Sequence, residues 1–404
     1  MDLRSMLNPQ VANVPPSGIR RFFDIAAEMK DCISLGVGEP DFVTPHAYRE
    51  AAIRSINRGE TQYTGNRGTP ELRKEIVKYL EHRFNMSYHP DTQTLVTVGG
   101  SEGIDLVLRA IITPGDEVLL PEPCFVAYAA CVTFAGGVPV PVVTTADHEF
   151  RVQPQQLQAA ITPRTKAVIL SYPTNPTGGV MERADMEAVA AVLRQHDILV
   201  ISDEIYAELS YDTEFVSVAT LPGMKERTVM LSGFSKAFAM TGWRLGYACG
   251  PQEIIDVMLK IHQYSLMCAS TMSQAAALQA LRKGYADHYA DVRKMVEQYD
   301  RRRRVMLHGF RSMGLDCFEP KGAFYTFPSI RCTGQTSEAF SQGLLQERVA
   351  VVPGSAFGAS GEGHVRCCYA VSMDNINEAL QRMERYVAAH RVPDVIAERM
   401  AAGR

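Results

Sequence analysis

Five short runs rich in Val, Ile and Leu constrain this chain more than any other feature. They are TLVTV from Thr94, EVLLP from Glu117, KAVILS from Lys166, ILVISD from Ile198 and TVMLS from Thr228. None alternates strictly with polar residues, which is the pattern of strands covered on both faces. Amphipathic stretches lie between them. Over Glu182–Gln195, Met186, Val189, Ala190 and Leu193 fall on one helical face. Breaks at Pro114-Gly115-Asp116, Pro163 and Pro173 separate the segments. Strand and helix in repeated alternation predict an α/β protein with a mainly parallel sheet and right-handed crossovers.

Beyond Gln252 the texture changes. Helical patterns run through Gln252–Gln263, Ser273–Leu281 and Ala286–Gly309. Strand-like GAFYTFPSI follows from Gly322, then a helix near Glu338–Glu347, the segments VAVVPG and HVRCCYAVS, and a closing helix from Asn375 to about His390. These predict a smaller α+β domain completed by the extended N-terminal arm. The expected division is 1–45 for the arm and part of the small domain, 46–285 for the large domain and 286–404 for the small one. The run Arg301–Arg304 has Asp291, Glu297 and Asp300 close by on the same predicted helix, so a solvated face is expected rather than a localisation signal.

Composition narrows the function classes. The chain has 404 residues, 46% of them hydrophobic and 21% charged, enough to bury a large core without staples. A formal charge of −4 provides no broad cationic field for nucleic acid or anionic lipid. Nine cysteines, an odd number with no C-x-x-C pair, favour reduced thiols. The start MDLRSMLNPQ lacks a basic region followed by an apolar stretch, and no apolar run approaches ~18 residues. A soluble cytoplasmic protein is expected. No H-E-x-x-H or paired metal-ligand motif occurs, so no metal is expected.

The chemistry concentrates in Ser232-Gly233-Phe234-Ser235-Lys236-Ala237-Phe238-Ala239-Met240-Thr241-Gly242-Trp243-Arg244. Small residues at a strand end admit a bulky group, and a lysine there can bond to an aldehyde. An arginine fork suits a phosphate. A lone lysine after a turn is ordinarily a surface residue, but this segment resembles the pyridoxal-phosphate attachment site of class I aminotransferases, the aspartate aminotransferase-like fold type I family. The resemblance runs from about Ile33 to Tyr386. It implies a large cofactor domain around a seven-stranded, mainly parallel sheet, with pyridoxal 5'-phosphate bound covalently to Lys236 and its phosphate gripped by Arg244. Many members have serine three before the lysine. Here Gly233 stands there, leaving Ser232 or Ser235 to supply the hydroxyl.

Other motifs extend the resemblance. Ser202-Asp203-Glu204-Ile205-Tyr206 ends one predicted strand and Asn175-Pro176-Thr177-Gly178 follows another, both at carboxyl ends where α/β sheets collect ligand groups. By resemblance Asp203 faces the pyridine nitrogen, while Asn175 and Tyr206 bond the cofactor's phenolic oxygen. On its own Asp203 could equally be a helix cap. Gly99-Gly100-Ser101-Glu102 opens a helix whose free amides can hold phosphate. The resemblance implies Gly100, Ser101 and the amide of Glu102, with the Glu102 carboxylate turned away. Phe125 stands where an aromatic stacks on the pyridine ring. Arg366, in His364-Val365-Arg366-Cys367-Cys368, matches the arginine that pairs with the substrate carboxylate, and Gly38, in Leu35-Gly36-Val37-Gly38-Glu39, lies in the segment touching the same group. Tyr63 matches a tyrosine reaching the neighbouring subunit's phosphate, which implies a homodimer with composite sites.

Ser17-Gly18-Ile19-Arg20, His262-Gln263-Tyr264, Gly322-Ala323-Phe324-Tyr325 and Val352-Pro353-Gly354-Ser355 resemble the bacterial branch containing aromatic and N-acetyl-diaminopimelate aminotransferases. Ser17, Ile19 and Arg20 are the candidates for side-chain selection. The implied reaction carries an amino group from an L-amino acid to a 2-oxo acid such as 2-oxoglutarate, in two ping-pong halves. A C–S β-lyase uses the same scaffold and would release pyruvate and ammonia without an oxo acid. A regulator with an aminotransferase-like ligand domain would need a DNA-binding segment, for which the motifs, beginning near Leu35, leave no room.

Overall fold

The structure is a computed structural model that describes residues 1, 3–16, 18–19 and 28–393. Ser17 and Arg20, two of the three selection candidates, lie outside the described residues.

In chain order the strands are β1 (Ile33–Ser34), β2 (Thr94–Thr97), β3 (Glu117–Glu122), β4 (Val138–Val143), β5 (Thr165–Ser171), β6 (Leu199–Asp203), β7 (Thr228–Gly233) and β8 (Gly246–Cys249), then β9 (Tyr325–Thr326), β10 (Val349–Ala350), β11 (Val352–Pro353) and β12 (Val365–Cys368). Seven of them form one sheet in the order β2-β8-β7-β6-β5-β3-β4. Its central pairs are parallel, whereas β8 runs antiparallel to both β7 and β2. The five apolar runs supply β2, β3, β5, β6 and β7. The two strands the apolar pattern did not show each have a local reason. β4 reads Val-Pro-Val-Pro-Val-Val at the sheet edge, where prolines without N–H groups are tolerated, and β8 is a four-residue strand that begins at a glycine.

β6 and β7 are buried almost throughout because helices cover both faces. Residues from Gly99–Ile111 and Gln252–Ser265 pack on Val118, Ile169, Ile201 and Leu231 of one face. Helix Arg183–Leu193 buries Met186, Val189, Ala190 and Leu193 against Val168, Leu170 and Val200 of the other, with the face its sequence periodicity predicts. The remaining strands make two small sheets: β1 pairs in parallel with β10, and β12 sits between β11 and β9. Helices Ala290–Met313 and Met373–His390 enclose them in a core that includes Phe310, Phe324, Val365 and Leu380.

Helices begin earlier than their apolar periodicity suggests, because polar caps stand ahead of it. Ser270 accepts from the Ser273 amide and starts Thr271–Asp287, and Ser372 accepts from the Asn375 amide and starts Met373–His390. The break before Ala290 lies at His288 and Tyr289, both left-handed at φ 56° and 57°. The Tyr289 ring packs on Gly284, where a Cβ would lie 2.4 Å from it. The arginine run departs from expectation. Arg302 makes a two-pronged pair with Asp41 at 2.8 and 2.9 Å, and Arg303 is fully buried among Asp300, Glu319 and Asp212. Of the four, it is Arg304 that keeps an exposed side chain in an ion pair, at 60%. A predicted helix places these carboxylates by sequence distance only, whereas Asp41, Asp212 and Glu319 arrive through the fold.

Candidate active site

The carboxyl ends of β5, β6 and β7 lie side by side, so the turns after them converge. The β5 turn carries Asn175, β6 ends on Asp203 with Tyr206 just beyond, and the turn after β7 carries Ser235 and Lys236. Because β8 is antiparallel to β2, its amino end meets the start of helix Gly99–Ile111, with Thr97 opposite Gly246. Arg244, just before β8, is thereby laid on the helix N-terminus. A Cβ on Gly99 would stand 2.6 Å from the Arg244 Nη2, and one on Gly246 would stand 2.6 Å from the Gly99 carbonyl carbon. Only glycines permit that approach.

These groups line one cavity of about 390 Å³. Of the residues expected from sequence, Gly38, Gly100, Ser101, Phe125, Asn175 and Asp203 face it. Tyr206, Ser235, Lys236, Arg244 and Arg366 complete the wall. Ser232 does not face it; its hydroxyl donates to the Glu204 carbonyl at 3.3 Å, so of the two serines flanking Gly233 and Lys236 it is Ser235 that lines the cavity. Glu102 points its carboxylate away from the opening, where it accepts from the Val98 amide and lies 2.6 Å from His262 Nδ1. Tyr63 is 79% exposed and stands outside this cavity.

The electrostatics are specific. Burial lowers the Lys236 amine to about 8, assisted by the positive charges of Arg366 and Arg244 and opposed by Cys368 and Glu39. Its Nζ donates to the Gly38 carbonyl at 2.6 Å. Burial raises the Asp203 carboxyl, against bonds from the Tyr128 hydroxyl at 2.7 Å and the Ile205 amide at 3.2 Å and the charge of Lys236. Arg366 is 2% exposed, donating from Nη1 to Asn175 Oδ1 at 2.8 Å and from Nη2 to the Gly36 carbonyl at 2.6 Å. Its Nε has no partner. The Tyr325 and Phe357 rings lie 4.5 and 4.8 Å from its guanidinium. Among the described residues no carboxylate pairs with Arg366 or with Arg244, whose Nη1 donates to the Thr241 carbonyl.

Two functional neighbours went unassigned from sequence. Tyr128 holds Asp203 and sets its ring edge-on to Phe125 at 86°; its spacing of three from Phe125 within one turn was the available signal. Tyr325 places its hydroxyl 2.8 Å from that of Tyr206, 119 residues away, and no local pattern announces it. His262, the partner of Glu102, is likewise supplied by a distant helix.

Pyridoxal phosphate fits what is present. Arg366, buried without a carboxylate partner, calls for an anion, and Arg244, exposed and laid against a helix N-terminus on the same cavity, suits a second: a carboxylate and a phosphate. The amine with a lowered pKa lines the same cavity and feels the charge of both, and the buried carboxylate of Asp203 suits a pyridinium. Comparison with known proteins agrees. Residues 30–383 match the family "Aminotransferase class I and II". YugH of Bacillus subtilis, named as an aminotransferase, is 54% identical over 95% of this chain and 99% of its own. An aspartate aminotransferase of Pyrococcus abyssi is 46% identical over 92% of this chain and 96% of its own. The crystal structure of an aromatic aminotransferase from Pyrococcus horikoshii superposes with a TM-score of 0.87 at 44% identity, over 91% and 99% of the two chains. A cavity lined by two guanidiniums and a lysine of lowered pKa, within a similarity that spans the chain, leads to one conclusion: the protein belongs to the class I and II aminotransferases, enzymes dependent on pyridoxal phosphate.

Proposed function

We propose that this enzyme moves the amino group of an L-amino acid to a 2-oxo acid, with 2-oxoglutarate as acceptor, in two ping-pong halves. The observation that carries the reading is Arg366, a buried guanidinium with an unpartnered Nε and, among the described residues, no carboxylate to neutralise it. A buried charge of this kind is stable only opposite an anion. The substrate's carboxylate is that anion.

The cofactor supplies an aldehyde for the amine and a conjugated ring that takes up the electron pair released at Cα. Everything else falls to the chain. Arg244, Ser235, the hydroxyl of Ser101 and the amides of Gly100, Ser101 and Glu102 hold the phosphate at the positive end of a helix. Asp203, fixed by Tyr128, would keep the proton on the cofactor's ring nitrogen. Tyr206 and Asn175 would bond its phenolic oxygen, and Phe125 would supply an aromatic contact to the ring. Arg366 and the backbone around Gly38 fix the carboxylate and so orient the Cα–H bond. Lys236 would be the group that takes up and gives back the Cα proton, a task its lowered pKa suits near neutrality.

The same reading takes the protein as a cytoplasmic homodimer. Tyr63, 79% exposed, would complete the phosphate site of a second copy. Among the described residues no helix is long and apolar enough to cross a membrane. The division into the arm (1–45), the large domain (46–285) and the small domain (286–404) belongs to the same proposal, with the cavity drawing residues from all three.

Absorbance of the purified holoenzyme during addition of single amino acids, without oxo acid, tests the reaction. Bleaching of the visible band by glutamate and by one further donor class is expected. A band that persists while a thioether amino acid yields pyruvate and ammonia would replace transfer with C–S cleavage.

The amine's position also sets a pH dependence for cofactor capture. Only the neutral amine attacks an aldehyde. With the group lowered to about 8, the uptake rate of pyridoxal phosphate by the apoprotein should rise about tenfold per pH unit below 8 and level off above it. A rate still climbing steeply at pH 9.5, as for an ordinary lysine, contradicts the assignment.

A further inference from the structure

Beyond the groups already given roles, the cavity contains one side chain with several simultaneous ties. The Tyr325 hydroxyl lies 2.8 Å from that of Tyr206, and its ring faces the Arg366 guanidinium at 4.5 Å. It also lies against Gly38: a Cβ there would stand 2.3 Å from the Tyr325 oxygen. Gly38 is the residue whose carbonyl accepts from Lys236. Tyr325 is 1% exposed on β9, two residues after the left-handed Ala323. It therefore touches the phenol, the guanidinium and the glycine segment that carry three separate duties, and has none assigned itself.

We infer that Tyr325 is a positioning residue for the transfer reaction, acting through Tyr206 with its hydroxyl and through Arg366 with its ring. The inference rests on the reading above in which Tyr206 donates to the cofactor's phenolic oxygen. A phenol has one proton. If Tyr206 spends it on Tyr325, nothing remains for an anion in the cavity. When Tyr325 donates instead, Tyr206 is free to donate inward, and accepting one hydrogen bond makes its own O–H a stronger donor. An anionic oxygen in the cavity selects this sense of the chain. The ring contributes separately. With Nη1 committed to Asn175 and Nη2 to Gly36, the guanidinium plane is fixed by the two bonds and by the aromatic faces of Tyr325 and Phe357.

The two duties separate in the variants Tyr325→Phe and Tyr325→Leu. The readout for the hydroxyl is the midpoint of the pH titration of the holoenzyme's visible band, independent of turnover. A donor to the phenolic oxygen stabilises its anion and lets the nearby Lys236 nitrogen lose its proton at lower pH, so loss of the donor raises the midpoint. Charged groups facing this nitrogen and the phenol pair are Arg366, Arg244, Glu39, Asp203 and the Cys368 thiol, and all are unchanged in these variants.

Tyr206→Phe should raise the midpoint by roughly one to two pH units, the worth of a hydrogen bond to a charged group. Tyr325→Phe should raise it by roughly 0.2 to 0.6 units with the amino acid KM unchanged. The double variant should match Tyr206→Phe, because the outer hydroxyl acts only through the inner one. Tyr325→Leu should add a KM increase of about three- to thirtyfold. A Tyr325→Phe midpoint equal to wild type, with Tyr206→Phe displaced, overturns the inference and leaves the function reading intact. A Tyr325→Phe displacement that adds in full to that of Tyr206→Phe also overturns it. If Tyr206→Phe itself leaves the midpoint in place, the role given to Tyr206 fails first.

Discussion

Lys236→Ala should lose transamination by at least about 10³-fold while still retaining pyridoxal phosphate. General acid–base transfer contributes ~10²–10⁴, and no second group stands ready to replace this one. Lys236 is the cavity's only amine side chain among the described residues; the other cationic groups there, Arg244 and Arg366, are guanidiniums, which donate hydrogen bonds and offer no acceptor for a proton. Water could carry a proton, but the amine is placed on the Gly38 carbonyl at 2.6 Å within a buried pocket, and water lacks that placement. Cofactor retention should survive because Arg244, the amides of the Gly99–Ile111 helix and Asp203 remain. Single-turnover mixing with glutamate, together with cofactor content after gel filtration, measures both halves of this result. Residual turnover within tenfold of wild type would remove Lys236 from the proton path.

The second large effect is expected at Arg366. Arg366→Gln should lower kcat/KM for amino acids by about 10²–10⁴, corresponding to two charge-assisted bonds of roughly 1.5–3 kcal/mol each. Arg366→Lys should recover part of the loss, since the charge returns but the fork and its match to a carboxylate do not. The control is a primary amine that lacks a carboxylate. Its slow reaction should be unaffected by either change, because it never used the guanidinium. A loss shared equally by amine and amino acid would mean that the substitution had damaged the cavity as a whole. Stability should change less than for a buried ion pair, since among the described residues no carboxylate is left behind alone.

Much of this cavity's lining could be named before the fold was seen, because its residues sit in motifs that carry the family resemblance. Asp203, Lys236 and Asn175 each lie within a few residues of an apolar run, and a strand end is where α/β sheets collect ligand groups, but strand position alone leaves Asp203 open as a helix cap and Lys236 as a surface residue. Gly100 and Ser101 are named through the same resemblance. What escaped was set by distance along the chain. Neither Tyr128 nor Tyr325 carries a role in the sequence, and it is the fold that places one on Asp203 and the other on Tyr206. Arg302 and Arg303 read as solvated because their carboxylates, Asp41, Asp212 and Glu319, belong to other segments. Strand β4 escaped because its prolines mimic a loop, and only the sheet edge makes them acceptable.

The pairing of β1 with β10 has a consequence for the order in which the molecule can be made. Gly36, which accepts from Arg366, is 330 residues distant from it in sequence. A ribosome adding about 5–20 residues per second needs roughly 15 to 70 seconds to cover that interval. Within it the seven-stranded sheet gains its last strand at Cys249 and can close from then on, while the early β1 segment has no partner until Val349–Ala350 is made. The carboxylate site is therefore the last part of the enzyme to mature. A nascent or prematurely ended chain can fold a phosphate cradle and a lysine, yet it has no means of holding an amino acid.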